Sequence, residues 1–349
     1  MKSKHIWISL AILFLIGLSV ALFYIWKFYG YIHNPNFQFD GNQTELLIFP
    51  DTEFEELIYQ MKDSGWVINT PSLFWVADRM NFSDQSLKTG RYLINDGINN
   101  RQFIQQLRSG NQAAVNLVVP EAPDLDRIAG RLGKQLMQDS TEFAEYFNSQ
   151  LLYENFGIDK VELKAMLIPN TYQMWWTASP KDFVSRMQRE YNAFWDSNNR
   201  REKAKQLGLT EKEVIILASI VERESNYRPE RPAIAGVYIN RLKNNWPLQA
   251  DPTVVFAMGN PKVRRVLTRD LEIDSPYNTY KNTGLPPGPI FIPSISSIDA
   301  VLNAEEHNYY FFCAAPDHSG THVFARTLAQ HNQNARRFHN WLNQQRIMR

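Results

Sequence analysis

The segment Val221-Glu222-Arg223-Glu224-Ser225-Asn226-Tyr227-Arg228-Pro229 places acids at the end of an apolar run, just before a Pro-marked turn. A carboxyl group so placed can act as the general acid that cleaves a glycosidic bond. Upstream, Thr210 with Glu213 three residues later is a capping-box signal, and Val214, Ile215, Ile216, Leu217, Ala218, Ile220 and Val221 supply the apolar surface of a largely buried helix. At roughly 100° per residue, Glu224 falls in line with Leu217, Ile220 and Val221, whereas Glu222 points about 200° away, beside Ala218 and Ser219. The two acids therefore share no helical face. Desolvation on the apolar stripe raises the pKa of Glu224 and keeps a proton available near neutrality, as a general acid requires. The competing reading is a helix that simply ends in solvated charges.

The sequence downstream weighs against that reading. It contains Tyr238-Ile239-Asn240-Arg241-Leu242, Leu248-Gln249-Ala250-Asp251-Pro252-Thr253-Val254, Tyr277-Asn278-Thr279-Tyr280 and Gly284-Leu285-Pro286-Pro287-Gly288-Pro289-Ile290. Together these blocks resemble the YceG-like (MltG) family of endolytic murein transglycosylases, in the same order through the C-terminal half. Glu224-Ser225 also looks like the Glu-Ser signature of the wider lytic transglycosylases, and it singles out Glu224 over Glu222. Earlier, Leu167-Ile168-Pro169-Asn170-Thr171-Tyr172 looks like a family Leu-Phe-Pro-Asp-Thr-Tyr block, with Asn170 in place of the usual acid and Lys164-Ala165 in place of a usual Glu-Gly.

The resemblance implies cleavage of the β-1,4 bond between N-acetylmuramic acid and N-acetylglucosamine without water. One carboxyl group, Glu224, serves both steps: it protonates the leaving oxygen, then as carboxylate helps the muramyl C6 hydroxyl attack, leaving a 1,6-anhydro end. A hydrolase normally needs two carboxylates flanking the bond, roughly 5 to 9.5 Å apart. Asp251 is the candidate second acid, and its alternatives are a cap for a helix opening at Pro252 or a substrate contact, both favoured over direct proton transfer. Asn240, Gln249, Thr253, Tyr277, Asn278 and Tyr280 are candidate substrate-binding residues; their polar groups can meet acetamido and hydroxyl groups or satisfy backbone groups within the domain. Ser225 has no recognisable His and acid partners for nucleophilic chemistry, so a hydrogen bond supporting Glu224 is expected of it. Gly284 to Gly288 is a rigid loop at a groove edge, because two prolines and two glycines interrupt any helix.

No cofactor or metal is expected. His318 and His322 have the spacing of a helical zinc pair, but Ser319-Gly320-Thr321 between them favours a turn entering a strand. The single Cys313 has no internal disulfide partner, and its neighbours Phe311, Phe312 and Ala314 suggest burial. With 37 basic and 36 acidic residues there is no bulk electrostatic case for a nucleic-acid partner. The expected partners are peptidoglycan glycan strands, peptidoglycan synthases by resemblance, and the cytoplasmic membrane.

The elements that must hold this chemistry read as an α+β chain. Ile6 to Trp26 is an uncharged apolar run, preceded by Lys2 and Lys4, that is long enough to cross a bilayer. A cleaved signal peptide is the alternative, but the run is too long and lacks a small-residue cleavage motif. The short N-terminal tail then puts the large C-terminal part outside the cytoplasm. The expected organisation is a tail and anchor at 1–27, a linker at 28–44, a small α+β module at 45–114 and a larger mixed α+β catalytic domain at 115–349. Strands are expected at Leu46–Phe49 and from Gly90, with helices near Phe54–Ser64, Pro71–Met80 and Asn100–Ser109. The resemblance makes this module LysM-like, with glycan binding or a spacer role. Further on, Val115–Val119 reads as a strand, Asp124–Met137, Thr141–Gln150, Pro180–Gln206 and the segment from Pro232 to Lys243 as helices, and Asp251–Pro293 as loop-rich. Tyr309–Cys313 and Thr321–Phe324 read as strands, and Leu328–Gln345 as a closing helix.

Overall fold

The computed structural model describes residues 2–260, 263, 266–317 and 319–345, so His318 of the candidate histidine pair lies outside the described residues. The chain divides into two compact units, Met1–Val115 with Gln173–Thr177, and Asn116–Tyr172 with Ala178–Arg349.

In the first unit, α1 (Lys2–His33) carries the apolar run. The stretch His5–His33 reaches a mean hydropathy of 2.6 and its apolar window is unburied, which is the length and composition of a membrane-crossing helix. The helix continues through the first part of the expected linker to His33. Its last turns have partners there: Phe28 stacks on Trp75 with ring centroids 4.6 Å apart, and the Tyr31 carbonyl accepts from Asn100 Nδ2 at 2.8 Å.

Strands β1 (Gln43–Ile48) and β2 (Gly90–Asn95) pair antiparallel, Gln43 opposite Asn95 and Ile48 opposite Gly90. Their alternation buries Leu46, Ile48, Tyr92 and Ile94 against α2 (Phe54–Asp63), α3 (Thr70–Arg79) and α4 (Asn100–Ser109). Helix α4 starts with a capping box, Asn99 with Gln102, and ends at Gly110 in the left-handed conformation. The buried Asn36 amide is satisfied by Asn69 and Asn100, so this small core carries a closed polar network.

Strands β3 (Ala114–Val119) and β4 (Asn170–Trp175) form a second two-stranded sheet. The second unit contains α5 (Leu125–Leu132), α6 (Ser140–Asn148), α7 (Gln150–Phe156), α8 (Lys160–Met166), α9 (Pro180–Asp196), α10 (Arg200–Leu207) and α11 (Glu211–Glu224). It continues with α12 (Arg231–Lys243), α13 (Asp251–Ala257), α14 (Ile295–Leu302), the antiparallel pair β5 (Phe311–Ala314) and β6 (His322–Ala325), and α15 (Leu328–Gln344) packed on that pair.

Several expectations are corrected by packing. The single helix expected over Pro180–Gln206 is two, broken where Asn198 and Asn199 take φ of +55° and +56°. The break turns the buried Arg200 back on the end of α9, where Nη1 donates to the Phe194 carbonyl at 3.0 Å while Nε meets Asp299 at 2.9 Å. The helix from Asp124 stops at Leu132, and Gly133 after it passes so close to Ser140 that a Cβ there would lie 2.3 Å from the Ser140 backbone nitrogen. Strand β4 and the short helices α7, α8 and α14 lack a long enough apolar period to be read from sequence, whereas α13 begins beside Pro252, where the sequence offers a helix start. Cys313 is half-buried rather than enclosed.

Helix α12 owes its position to Gly236. A Cβ at that residue would sit 2.4 Å from the Glu305 carbonyl and 2.7 Å from His307 Nε2, and His307 Nε2 is itself bonded to the Ala233 carbonyl at 2.9 Å. Alanine favours a helix interior over glycine by about 1 kcal/mol, but overpacking against backbone costs about 1–3 kcal/mol. Gly236→Ala should therefore lower the melting temperature of the full chain; an unchanged or raised value in calorimetry would mean that the Glu305–His307 segment yields.

Candidate active site

Helix α11 begins with the Thr210–Glu213 capping box, and Val214 through Val221 are all buried. A helix buried on every side sits within a core, and this one is packed by α8, α10, α12, α13 and α14. Glu224 is its last residue, so the carboxyl inherits the helix's position at the edge of that core. Tyr238, which is 1% exposed on α12, donates from Oη to Glu224 Oε1 at 2.5 Å. Burial is the largest influence on the Glu224 carboxyl and pushes it up; the Tyr238 hydrogen bond opposes this, the Asp251 charge adds to it and the Arg241 charge opposes it. The outcome is a pKa raised to about 7.

Glu222, two residues earlier, occupies the opposite environment. Its Oε2 accepts from the Ser294 hydroxyl at 2.5 Å, the Ser294 amide at 3.2 Å, Arg231 Nη1 at 3.1 Å and the Ser297 hydroxyl. Burial alone would raise its carboxyl, but the Ser294 and Ser297 hydrogen bonds and the Arg231 charge together hold it below the ordinary glutamate value. One acid therefore keeps its proton near neutrality and the other stays ionised.

Among the candidate substrate residues, Asp251 and Tyr280 are brought together: Tyr280 Oη donates to Asp251 Oδ1 at 2.6 Å. Asp251 is the first residue of α13 and makes no cap, which corrects the capping expectation; its carboxylate faces Tyr280 instead. The Ser225 hydroxyl bonds to the Tyr227 amide at 3.1 Å, so it organises the turn after the helix and does not support Glu224 directly. Asn240 Nδ2 donates to the His307 and Tyr309 carbonyls at 2.7 and 3.0 Å. Thr253 and Asn278 are fully buried: Thr253 Oγ1 meets Thr279 Oγ1 at 2.8 Å, while Asn278 Nδ2 donates to the Leu271 and Ile273 carbonyls and its Oδ1 accepts from the Tyr280 amide. These three residues build the frame on which the exposed ones stand. Gln249 is exposed at a left-handed φ of +51°, its amide bonded to the Thr279 carbonyl, and the half-buried Tyr277 packs on Phe256 with ring centroids 4.7 Å apart.

His322 Nδ1 lies 2.7 Å from Glu230 Oε2, and the His322 amide donates to Glu230 Oε1 at 2.7 Å, so this residue ties β6 to the turn that follows Glu224. Gly284 takes φ of +83° in its loop, and a Cβ at Gly288 would lie 2.3 Å from Val161 Cγ1, which requires glycine at that close approach.

The sequence profile of the YceG-like family matches residues 46–337. The chain belongs to the YceG-like family. It is 35% identical over 265 residues to an endolytic murein transglycosylase of Bacillus subtilis, covering 70% of this chain and 71% of that protein. It is 27% identical over 341 residues to an endolytic murein transglycosylase of Streptococcus pneumoniae serotype 2, covering 88% of this chain and 61% of the pneumococcal protein. A crystal structure of a YceG-like protein from Listeria monocytogenes superposes with a TM-score of 0.53 at 27% identity, over 84% of this chain and 99% of that one.

At the two departures from the family's sequence blocks, this YceG-like chain makes local substitutes. Lys164 is buried with its amine donating to the Pro123 carbonyl at 2.6 Å and lying 4.8 Å from the centre of the Phe256 ring; burial holds its pKa down to about 8. Asn170 Oδ1 accepts from the Thr171 amide at 2.8 Å. Sequence reasoning missed Tyr238 and Arg241, although both lie in a quoted family block and their i, i+3 spacing puts them on one helical face. It also missed Arg231, for which the sequence offers only a position beside the helix-opening Pro232.

A folded-state pKa near 7 above the ordinary 4.5 means that ionisation of Glu224 works against the fold. The penalty is absent below the ordinary value, grows between the two and is complete above the higher one. Glu224→Gln cannot ionise. It should melt like the wild type near pH 4 and at a higher temperature at pH 8, where ionisation costs the wild type at most about 3–4 kcal/mol at 1.4 kcal/mol per pKa unit. In carboxyl NMR titrations, Asp251→Asn should lower the Glu224 midpoint and Tyr238→Phe should raise it. Equal melting of Glu224→Gln and wild type at pH 8 would contradict this account.

Proposed function

We propose that this chain is a membrane-anchored endolytic murein transglycosylase in which Glu224 is the catalytic acid and base. The observation that carries the reading is a carboxyl group raised to about 7 at the end of a core helix, in a YceG-like chain 35% identical to an endolytic murein transglycosylase. Protonated Glu224 donates to the oxygen between N-acetylmuramic acid and N-acetylglucosamine. The bond to the anomeric carbon breaks, and the carboxylate left behind accepts the proton of the muramyl C6 hydroxyl as that oxygen closes the 1,6-anhydro ring. Tyr238 holds Oε1, leaving Oε2 to exchange the proton, and its hydrogen bond strengthens when the carboxylate forms. Asp251, oriented by Tyr280, supplies negative charge for the oxocarbenium-like transition state.

The exposed Gln249 and Asp251 and the half-buried Tyr277 and Tyr280 contact the glycan, while Ser225, Asn240, Thr253 and Asn278 shape the surface that binds it. The region 45–114 acts as a LysM-like module, in a glycan-binding or spacer role, and 115–349 as the catalytic domain. The apolar α1 holds the enzyme in the cytoplasmic membrane with the remainder outside the cytoplasm, where it cuts uncrosslinked strands near peptidoglycan synthases and limits their length.

Two experiments test this. On purified uncrosslinked glycan, the wild type should yield 1,6-anhydromuramyl ends without uptake of heavy oxygen from labelled water. Glu224→Gln should lose about 10²- to 10⁴-fold in turnover, at the upper end because one group serves both steps; Glu222→Gln should lose less. Labelled reducing ends as the main product would instead make this a hydrolase using Asp251 as its second carboxylate. Protease added to spheroplasts should degrade everything beyond the anchor; protection of that part would reverse the orientation.

A further inference from the structure

We propose that Arg231 is the positioning residue of this site: its guanidinium, clamped by Glu222, Ser294 and Ser297, holds the Ser225 carbonyl and so fixes the end of α11 that carries Glu224. The inference rests on the transglycosylase reading of Glu224. Arg231 is 4% exposed. Its Nε donates to the Ser225 carbonyl at 3.1 Å, Nη1 to Glu222 Oε2 at 3.1 Å and to the Ser297 hydroxyl at 2.6 Å, and Nη2 to Glu222 Oε1 at 3.1 Å, with the Ser294 hydroxyl 3.4 Å from Nη1.

The last carbonyls of a helix have no partner within it, and they fray unless something outside holds them. After Glu224 the backbone leaves the helix at once, with Ser225 extended at φ −136° and ψ 131°. Arg231 opens α12, and Tyr238 follows about two turns later on the same helix. Helix α12 thus grips Glu224 twice, Tyr238 at the carboxyl and Arg231 at the backbone just beyond it. A buried Arg–Glu pair contributes little net stability once desolvation is counted, whereas removing one partner leaves a buried charge. Its clearest contribution here is to conformation.

Among the described residues, the charged and titratable groups acting on the Glu224 carboxyl are Tyr238 and Arg241 from α12 and Asp251 from α13. Arg231 acts on the Ser225 carbonyl, one residue beyond Glu224, so its effect on the carboxyl runs through position. Releasing the Ser225 carbonyl lets the helix end open towards water, which relieves the burial that holds Glu224 protonated.

Arg231→Lys keeps a positive charge beside Glu222 but loses the aligned Nε donor. In the full chain, assayed in detergent on uncrosslinked glycan, kcat should fall about 10- to 100-fold, the range expected when a reacting group is misplaced by about an ångström. KM should stay within about two-fold, and the alkaline limb of kcat/KM should move to lower pH. Unchanged kcat and an unchanged limb, or a loss that matches the unfolded fraction measured by circular dichroism, would overturn the proposal. If Arg231→Lys does not fold, Ser297→Ala carries the test: a smaller fall with the same shift of the limb supports the role, and an unmoved limb overturns it. Normal turnover by Arg231→Lys beside an inactive Glu224→Gln removes the positioning role alone, whereas an active Glu224→Gln removes the transglycosylase reading and this inference with it.

Discussion

A half-buried carboxyl group at the end of a core helix is the constraint on which the second unit is built. Burying Glu224 in its charged form is unfavourable, and the group responds by holding its proton to about pH 7. The core around α11 more than offsets the cost. Ile215, Leu217, Ile220 and Val221 are each 0% exposed, and a fully buried large aliphatic side chain contributes about 1.5–3 kcal/mol. Because these residues fix the helix rigidly, its terminal residue has one place to be. Tyr238 then removes the remaining rotational freedom of the carboxyl with a single hydrogen bond.

Helix α12 is the counterpart without which α11 would be only a core helix. Gly236 lets it approach the Glu305–His307 segment, Tyr238 meets Glu224, and Arg241 donates to the Tyr310 and Leu248 carbonyls at 2.7 and 2.6 Å. The last of these bonds ties α12 to the strand of chain that leads into Asp251. The two acids on α11 therefore differ because of what faces them. Glu222 meets a cation and hydroxyl donors, while Glu224 is buried against a phenol, with the Asp251 and Arg241 charges acting in opposite senses. Identical side chains two residues apart acquire opposite proton affinities from the two sides of one helix.

That opposition was legible in the sequence as phase. The helical angle separates Glu224 from Glu222, and the apolar run from Val214 marks a buried segment whatever its partners. The capping boxes at Thr210 and Asn99 and the alternation of β1 and β2 are equally local, and so equally readable. What the sequence concealed is set by contacts distant along the chain. Arg231 meets Ser294 and Ser297 more than sixty positions later, and no local pattern distinguishes it from a solvated arginine beside a proline. The break at Asn198 and Asn199 is similar, because the Arg200 that follows it meets Asp299 about a hundred positions later. Asn278 was legible as a polar residue in a family block, but whether such a side chain faces outward or bonds to its own loop depends on backbone geometry that composition does not encode.

The loop-rich segment after α12 shows how a surface without regular structure can still be stiff. Thr253, Thr279 and Asn278 replace ladder hydrogen bonds with side-chain bonds to backbone and, for the two threonines, to one another, buried at the threonines and part-buried at Asn278. Each such bond stabilises by about 0.5–1.5 kcal/mol net, and leaving one of these buried groups unpaired costs about 1–3 kcal/mol. The frame is therefore held more by the penalty of breaking it than by the gain of making it. Asp251 and Tyr280 are the outward ends of that frame, so their mutual bond adds little strength to it and mainly sets where their charge and hydroxyl point. Helices place Glu224 and its Tyr238 partner, and a hydrogen-bonded loop orients Asp251 through Tyr280, so the charge that adds to the proton affinity of Glu224 is held from the opposite side.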